Sequence, residues 1–189
     1  MGLAPMTEVR EMEKKSYLNT KIFSSLQENR IASELGWETV SGSGARPFAP
    51  GDIISENWLG ECKTHMNDAK SIYFNHDVWL KIRSEATYQH RKPIVFTDDG
   101  SQSLSNTWCV CLSSSIEGNN LYIIPSTLYV KKNISFDHLK QMADFKGVKR
   151  CALDTFKHSI FVYSLTWIDD PVYLMPFDSF KQVIEEQGK

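Results

Sequence analysis

The sequence predicts an α/β domain in which helices flank a mixed central β-sheet. Three observations predict it: an early stretch with apolar residues at helical spacing, several short β-rich runs punctuated by Gly, Pro and Asn, and a second amphipathic stretch lying between two of those runs. At 189 residues, 41% of them hydrophobic, the chain is long enough to bury one self-sufficient core. Disorder, collagen and coiled coil are excluded by the same composition.

The first element is a helix from Thr20 to Leu35, with Ile22, Phe23, Leu26, Ile31, Ala32 and Leu35 near one face and Gly36 as its stop. Trp37 to Val40 alternates as a strand, and the loop from Ser41 to Pro47 is flexible by composition. Residues 52–63 read as an antiparallel hairpin that turns at Ser55-Glu56-Asn57. A helix from about Asp77 to His90 follows, capped by Asn75 or Asp77, with Val78, Trp79, Ile82 and Ala86 on one face. Strands are expected at Pro93–Thr97 and Trp108–Leu112. A hairpin broken at Pro125 is expected from Leu121–Ile124 with Leu128–Val130. Ser135 is placed to cap a helix from Phe136 to Phe145, strands follow at Ile160–Ile168 and Pro171–Met175, and Asp178 caps a short final helix to about Glu186. No linker divides the chain, so a single domain is expected over residues 1–189, with its core in 20–112 and an α+β extension in 115–189.

The cysteines at 62, 109, 111 and 151 show no framework spacing, and no signal peptide precedes them. This points to a reducing cytoplasm, that of a host if the gene is a phage's. No apolar run approaches the length of a membrane span. The net charge is -2, which excludes a nucleic-acid binder that relies on bulk positive charge. The charge is uneven, however. Between Lys131 and Lys157 seven basic residues face three acidic ones, and the doublets Lys131-Lys132 and Lys149-Arg150 have the shape of a phosphate grip.

The chemistry points to Asp52 with Glu61 and Lys63. An acid, any residue and a lysine recur four times in the chain, but of these only Glu61-Cys62-Lys63 falls on an expected strand, where residues two apart share a face. Cys62 then points to the core. If Asp52 begins the preceding hairpin strand, its carboxylate converges with that of Glu61 to offer two hard oxygen ligands suited to Mg²⁺ or Mn²⁺. Lys63 adds a point charge beside them. A cation and an ammonium are what phosphodiester hydrolysis needs. The spacing alone also allows a surface hairpin carrying an ordinary Glu–Lys pair.

Other groups read more plainly. Cys109 and Cys111 lack a zinc-spaced partner pair and read as small core hydrophobes. Asp98-Asp99-Gly100 and Asp169-Asp170-Pro171 read as turns. His65 lies on the metal-facing side only if the strand continues. Tyr73, Phe74 and His76, in a loop with Lys70, could stack on unpaired bases, and Phe74 could equally pack in the core. No phosphate loop of the P-loop type is present, so ATP use is not indicated.

Taken together, the helix with Glu28, the run Gly36-Trp-Glu-Thr-Val40, the Ser-Gly-Ser-Gly loop, Pro50-Gly-Asp52-Ile53 and Gly60-Glu61-Cys62-Lys63-Thr64 resemble the core of the PD-(D/E)XK nuclease superfamily. The likeness is greatest to archaeal and phage Holliday-junction resolvases, and it covers roughly residues 20–112. One departure is that Gly51 separates Pro50 from Asp52. The resemblance implies a restriction-endonuclease-like core and a Mg²⁺-dependent endonuclease acting as a homodimer on branched DNA. It assigns Glu28, Asp52, Glu61 and Lys63 to catalysis; Asp52, Glu61, the Cys62 carbonyl and Glu28 would hold the metal. Glu34 competes with Glu28 for that role. Ser41 and Ser43, with Arg46 of the same loop and Lys131, Lys132, Lys149 and Arg150, are the expected DNA contacts. Two rival readings are a restriction-like or repair nuclease on duplex DNA, and a catalytically silent nuclease-fold protein that binds DNA or another protein.

Overall fold

The computed structural model describes residues 6–42, 49–66, 72–117, 121–135 and 160–188. Helix α1 (Met6–Leu35) begins earlier than its apolar pattern announces, and Gly36, at φ 68°, ends it. The strands are β1 (Glu38–Thr39), β2 (Ile53–Ile54), β3 (Trp58–Lys63), β4 (Tyr73–Phe74), β5 (Lys92–Thr97), β6 (Trp108–Leu112), β7 (Leu121–Val130), β8 (Ile134–Ser135), β9 (Ile160–Trp167) and β10 (Asp170–Pro176). Helices α2 (His76–Tyr88) and α3 (Phe177–Gln187) complete the described α-helices, and short 3₁₀ turns lie at Leu104–Asn106 and Ser113–Ser115.

Eight strands form one mixed sheet in the order β1-β2-β3-β5-β6-β10-β9-β7, while β4 and β8 pair separately. The pairs β3/β5 and β7/β9 are parallel and the other pairs are antiparallel. The expected 52–63 hairpin is present as β2 and β3. Strands β7, β9 and β10 of the extension are not an appendage: β10 pairs directly with β6, so they share one sheet with the core.

Strand alternation divides the core in two. Trp58, Cys62, Ile94, Phe96, Cys109 and Cys111 face Ile31 and Ala32 of α1 and Phe177, Phe180 and Val183 of α3. Leu59, Val95, Val110 and Leu174 face Trp79, Ile82 and Ala86 of α2. Helices therefore cover both faces, as in an α/β domain. Cys109 and Cys111 are fully buried, and burial pushes both thiols up.

Several expected elements change. Residues 121–130 are one strand, not a hairpin, because both halves pair in the same direction with β9 and an irregularity between Pro125 and Tyr129 absorbs the proline. Ser135 lies in β8, and the helix expected from Phe136 lies outside the described residues. Asn75 caps α2 by accepting from the Asp77 and Val78 amides, so Asp77 belongs to the first turn. Asp178 likewise sits inside α3; Pro176 precedes that helix, and the Phe177 amide is taken by the Thr107 carbonyl. Phe74 is fully buried and unavailable for stacking, whereas Tyr73 is exposed.

Candidate metal and phosphate site

The site forms where β3 and β5 end side by side, the carboxyl edge at which open α/β sheets place their ligands. It begins with Gly51, whose φ of 66° lets the chain turn tightly against β3; a Cβ there would stand 2.8 Å from Leu59 Cδ1. This explains the glycine between Pro50 and Asp52. Asp52 then joins the ladder through its backbone, donating to the Gly60 carbonyl and accepting from the Val40 amide, each at 2.8 Å. Its Oδ2 accepts a 2.8 Å bond from the Cys62 amide, which holds the carboxylate beside the Glu61–Cys62 peptide.

Glu61 is no surface pair, since its side chain is only 5% exposed. Its Oε1 lies 2.6 Å from Lys63 Nζ, and its Oε2 lies 3.4 Å from Lys81 Nζ on α2. Both lysines are about half exposed, at 47% and 51%. Burial works against the Lys63 ammonium, but the charge and hydrogen bond of Glu61, with Asp52, outweigh it and lift its pKa above the ordinary lysine value. Lys63 is therefore a protonated donor, in keeping with the point charge expected beside the acids.

Glu28 reaches this group from α1. Its carboxyl is raised to about 7, first by burial and then by the charges of Asp52 and Glu61, with Lys63 opposing. Glu34, by contrast, pairs with Lys181 on α3, so the choice between the two helix acids falls on Glu28. The preceding residue, Gln27, is fully buried and donates to the Lys63 carbonyl at 2.8 Å, while its Oε1 has no partner. Asp98, read from the sequence as a turn residue, is also fully buried beside the site. Its amide donates to the Lys63 carbonyl, and its carboxylate takes Arg30, the Thr64 hydroxyl and the Gly100 amide. Asp170 is buried too, bound to the Trp79 indole and to Arg83.

Glu28, Asp52, Glu61 and Lys63 thus form one electrostatically coupled group, with Cys62 behind them facing the core. Among the described residues, however, no three His, Cys, Asp or Glu side chains are gathered closely enough to hold a metal ion as they stand. β3 ends at Lys63, so strand alternation does not carry His65 to the site. Ser41 is an exposed turn residue after β1. Ser43, Arg46, Lys70, Lys149 and Arg150 lie outside the described residues.

Lys131 and Lys132 follow β7, and the next residue, Asn133, accepts the His76 amide at the start of α2, the helix that carries Lys81. Lys131 lies over the Tyr129 ring, 5.8 Å from its centroid. A groove of about 770 Å³ lined by Trp37, Trp58, Lys92 and Glu185 is separate, as it includes none of the site residues.

The sequence reading missed Lys81, Glu85 and Gln27. Lys81 and Glu85 stand four apart on α2, off its buried Trp79–Ile82–Ala86 stripe, which is the available signal for a charged pair facing outward. No helix among the described residues is long and apolar enough to cross a membrane. No protein-family model matches the chain, and no match emerged among curated proteins or solved structures.

Proposed function

We propose that the chain is a metal-dependent endonuclease with a restriction-endonuclease-like core, cutting DNA and preferring Holliday junctions or other branched forms, as a homodimer. One observation carries the reading: acids from a helix, a hairpin strand and its partner strand are electrostatically coupled around a lysine at the carboxyl end of β3.

The donor set fits a hard divalent cation. Asp52, Glu61 and Glu85 exceed Lys63 and Lys81 by one formal negative charge, and Glu28, with its carboxyl raised to about 7, adds a second as it ionises; one divalent ion offsets both. Mg²⁺ needs only one or two protein carboxylates, with water and phosphate filling its other positions, so a preformed three-acid cluster is not required. Asp52, Glu61 and the Cys62 carbonyl would hold the ion, with Glu28 completing the shell. When bound, it would neutralise charge on the phosphate and lower the pKa of an attacking water. Lys63, held protonated by Glu61, donates hydrogen bonds that orient that water or stabilise charge developing on the phosphate oxygens. The Asp52 contact to the Cys62 amide keeps the hairpin acid aligned with Glu61.

The test is incubation of four-way junction, flap, single-stranded and duplex DNA with and without Mg²⁺. Metal-dependent nicking is expected, fastest on branched DNA. Lys63→Ala should lower it by about 100-fold or more while leaving DNA binding measurable; unchanged nicking by that variant sinks the assignment. Equal rates on linear duplex would select a restriction-like or repair nuclease instead.

A second reading is favoured by the ion pairs. Both Glu61 oxygens have a lysine partner, an arrangement that satisfies the acid without a metal. In that reading the fold is a catalytically silent binder of DNA or protein. Absence of cleavage on every substrate with Mn²⁺, together with tight binding to one of them, would establish it.

A further inference from the structure

Lys81 enters the site from α2 rather than from the motif strand, and its contacts differ in kind from those of Lys63. Lys63 makes a short 2.6 Å bond to Glu61 Oε1, whereas Lys81 stands 3.4 Å from Oε2, the long edge of hydrogen-bonding distance. A second acid shares it: Glu85 Oε1 lies 3.9 Å away. Glu85 is itself anchored, because its Oε2 accepts the Gly51 amide at 3.1 Å, one residue before Asp52. The Lys81 ammonium is thus loosely held between two acids, about half exposed, on a flexible four-carbon stem.

A divalent cation that takes Glu61 Oε2 competes with the Lys81 ammonium for it, since two positive groups at one oxygen repel each other. The displaced lysine keeps Glu85 as a partner and remains beside the ion. A phosphodiester that reaches the ion offers further non-bridging oxygens, and Lys63 and Lys81 flank the buried carboxylate from two different elements. Resting on the nuclease reading above, we infer that Lys81 is a second phosphate-binding residue. It occupies Glu61 Oε2 in the free protein, yields that oxygen to a divalent cation, and then contacts a phosphate oxygen of bound DNA.

The inference demands opposite effects from one substitution. Lys81→Gln should tighten Mn²⁺ binding severalfold in calorimetry with MnCl2, because a competing cation is gone. Fluorescence anisotropy with labelled four-way junction DNA and MnCl2 should show the reverse. There Lys63→Ala serves as an uncut reference, and adding Lys81→Gln should weaken binding and reduce the salt dependence by about one phosphate contact. Lys81→Arg should restore the DNA affinity. Urea unfolding of each variant separates these effects from loss of fold. Unchanged Mn²⁺ and DNA affinities in Lys81→Gln, or weaker Mn²⁺ binding by that variant when folded, would overturn the role given to Lys81. If the wild-type protein binds Mn²⁺ and cuts DNA in that case, only this inference fails. A wild-type protein that neither binds Mn²⁺ nor cuts any substrate overturns the nuclease reading and this inference with it.

Discussion

The Asp52 carboxylate accepts a 2.8 Å hydrogen bond from the backbone amide of Cys62, the residue directly after Glu61. A ligand-type acid is thereby tied to the strand that carries the second acid, and the same contact satisfies a buried amide.

Two substitutions should separate those roles. Asp52→Asn keeps an acceptor for the Cys62 amide and should cost little stability, whereas Asp52→Ala orphans a buried N–H and should cost about 1–3 kcal/mol. Both should abolish Mn²⁺ binding in calorimetry, and equal urea midpoints for the two variants would contradict the structural half of this account.

Glu28 sets a pH dependence. Its carboxyl is raised from 4.5 to about 7 in the folded protein, so across that window the unfolded chain releases a proton that the native state retains. The contribution of Glu28 to stability is therefore fully present below pH 4.5 and declines as pH rises through about 7. Glu28→Gln should be more stable than wild type at pH 8, by about 1–2 kcal/mol once solvent screening of a partly exposed group is allowed for. The advantage should vanish below pH 4.5. Urea titrations of both proteins at the two extremes measure it.

Gly51 is constrained twice, by a φ of 66° and by Leu59 at 2.8 Å from any Cβ. Gly51→Ala should destabilise the fold by roughly 1–3 kcal/mol. It should also weaken Mn²⁺ binding by displacing Asp52. A stable variant with wild-type metal affinity would show that the turn does not position the acid.

Arg30 stands 2.9 Å from the fully buried Asp98. Among the described residues, Arg30→Met leaves that carboxylate with the Thr64 hydroxyl and Gly100 amide as donors. The expected loss is about 3 kcal/mol, the lower end for breaking a buried pair. Thermal unfolding at neutral pH checks it, and a melting temperature equal to that of wild type would refute the assignment.

By itself the sequence determined what depends on near neighbours. Alternation placed Glu61 and Lys63 on one face of β3 with Cys62 on the core face, and helical spacing marked the buried stripe of α2. The turn residues before Trp58 announced the hairpin that brings Asp52 to Glu61. Tertiary structure decided the rest, because pairing order and helix docking depend on contacts far apart in the chain. Only the packing of α1 on the sheet distinguishes Glu28 from Glu34, and only the packing of α2 brings Lys81 to Glu61. Local pattern could not reveal that β10 pairs with β6 or that 121–130 is one strand, since partner choice is settled by burial across the whole sheet.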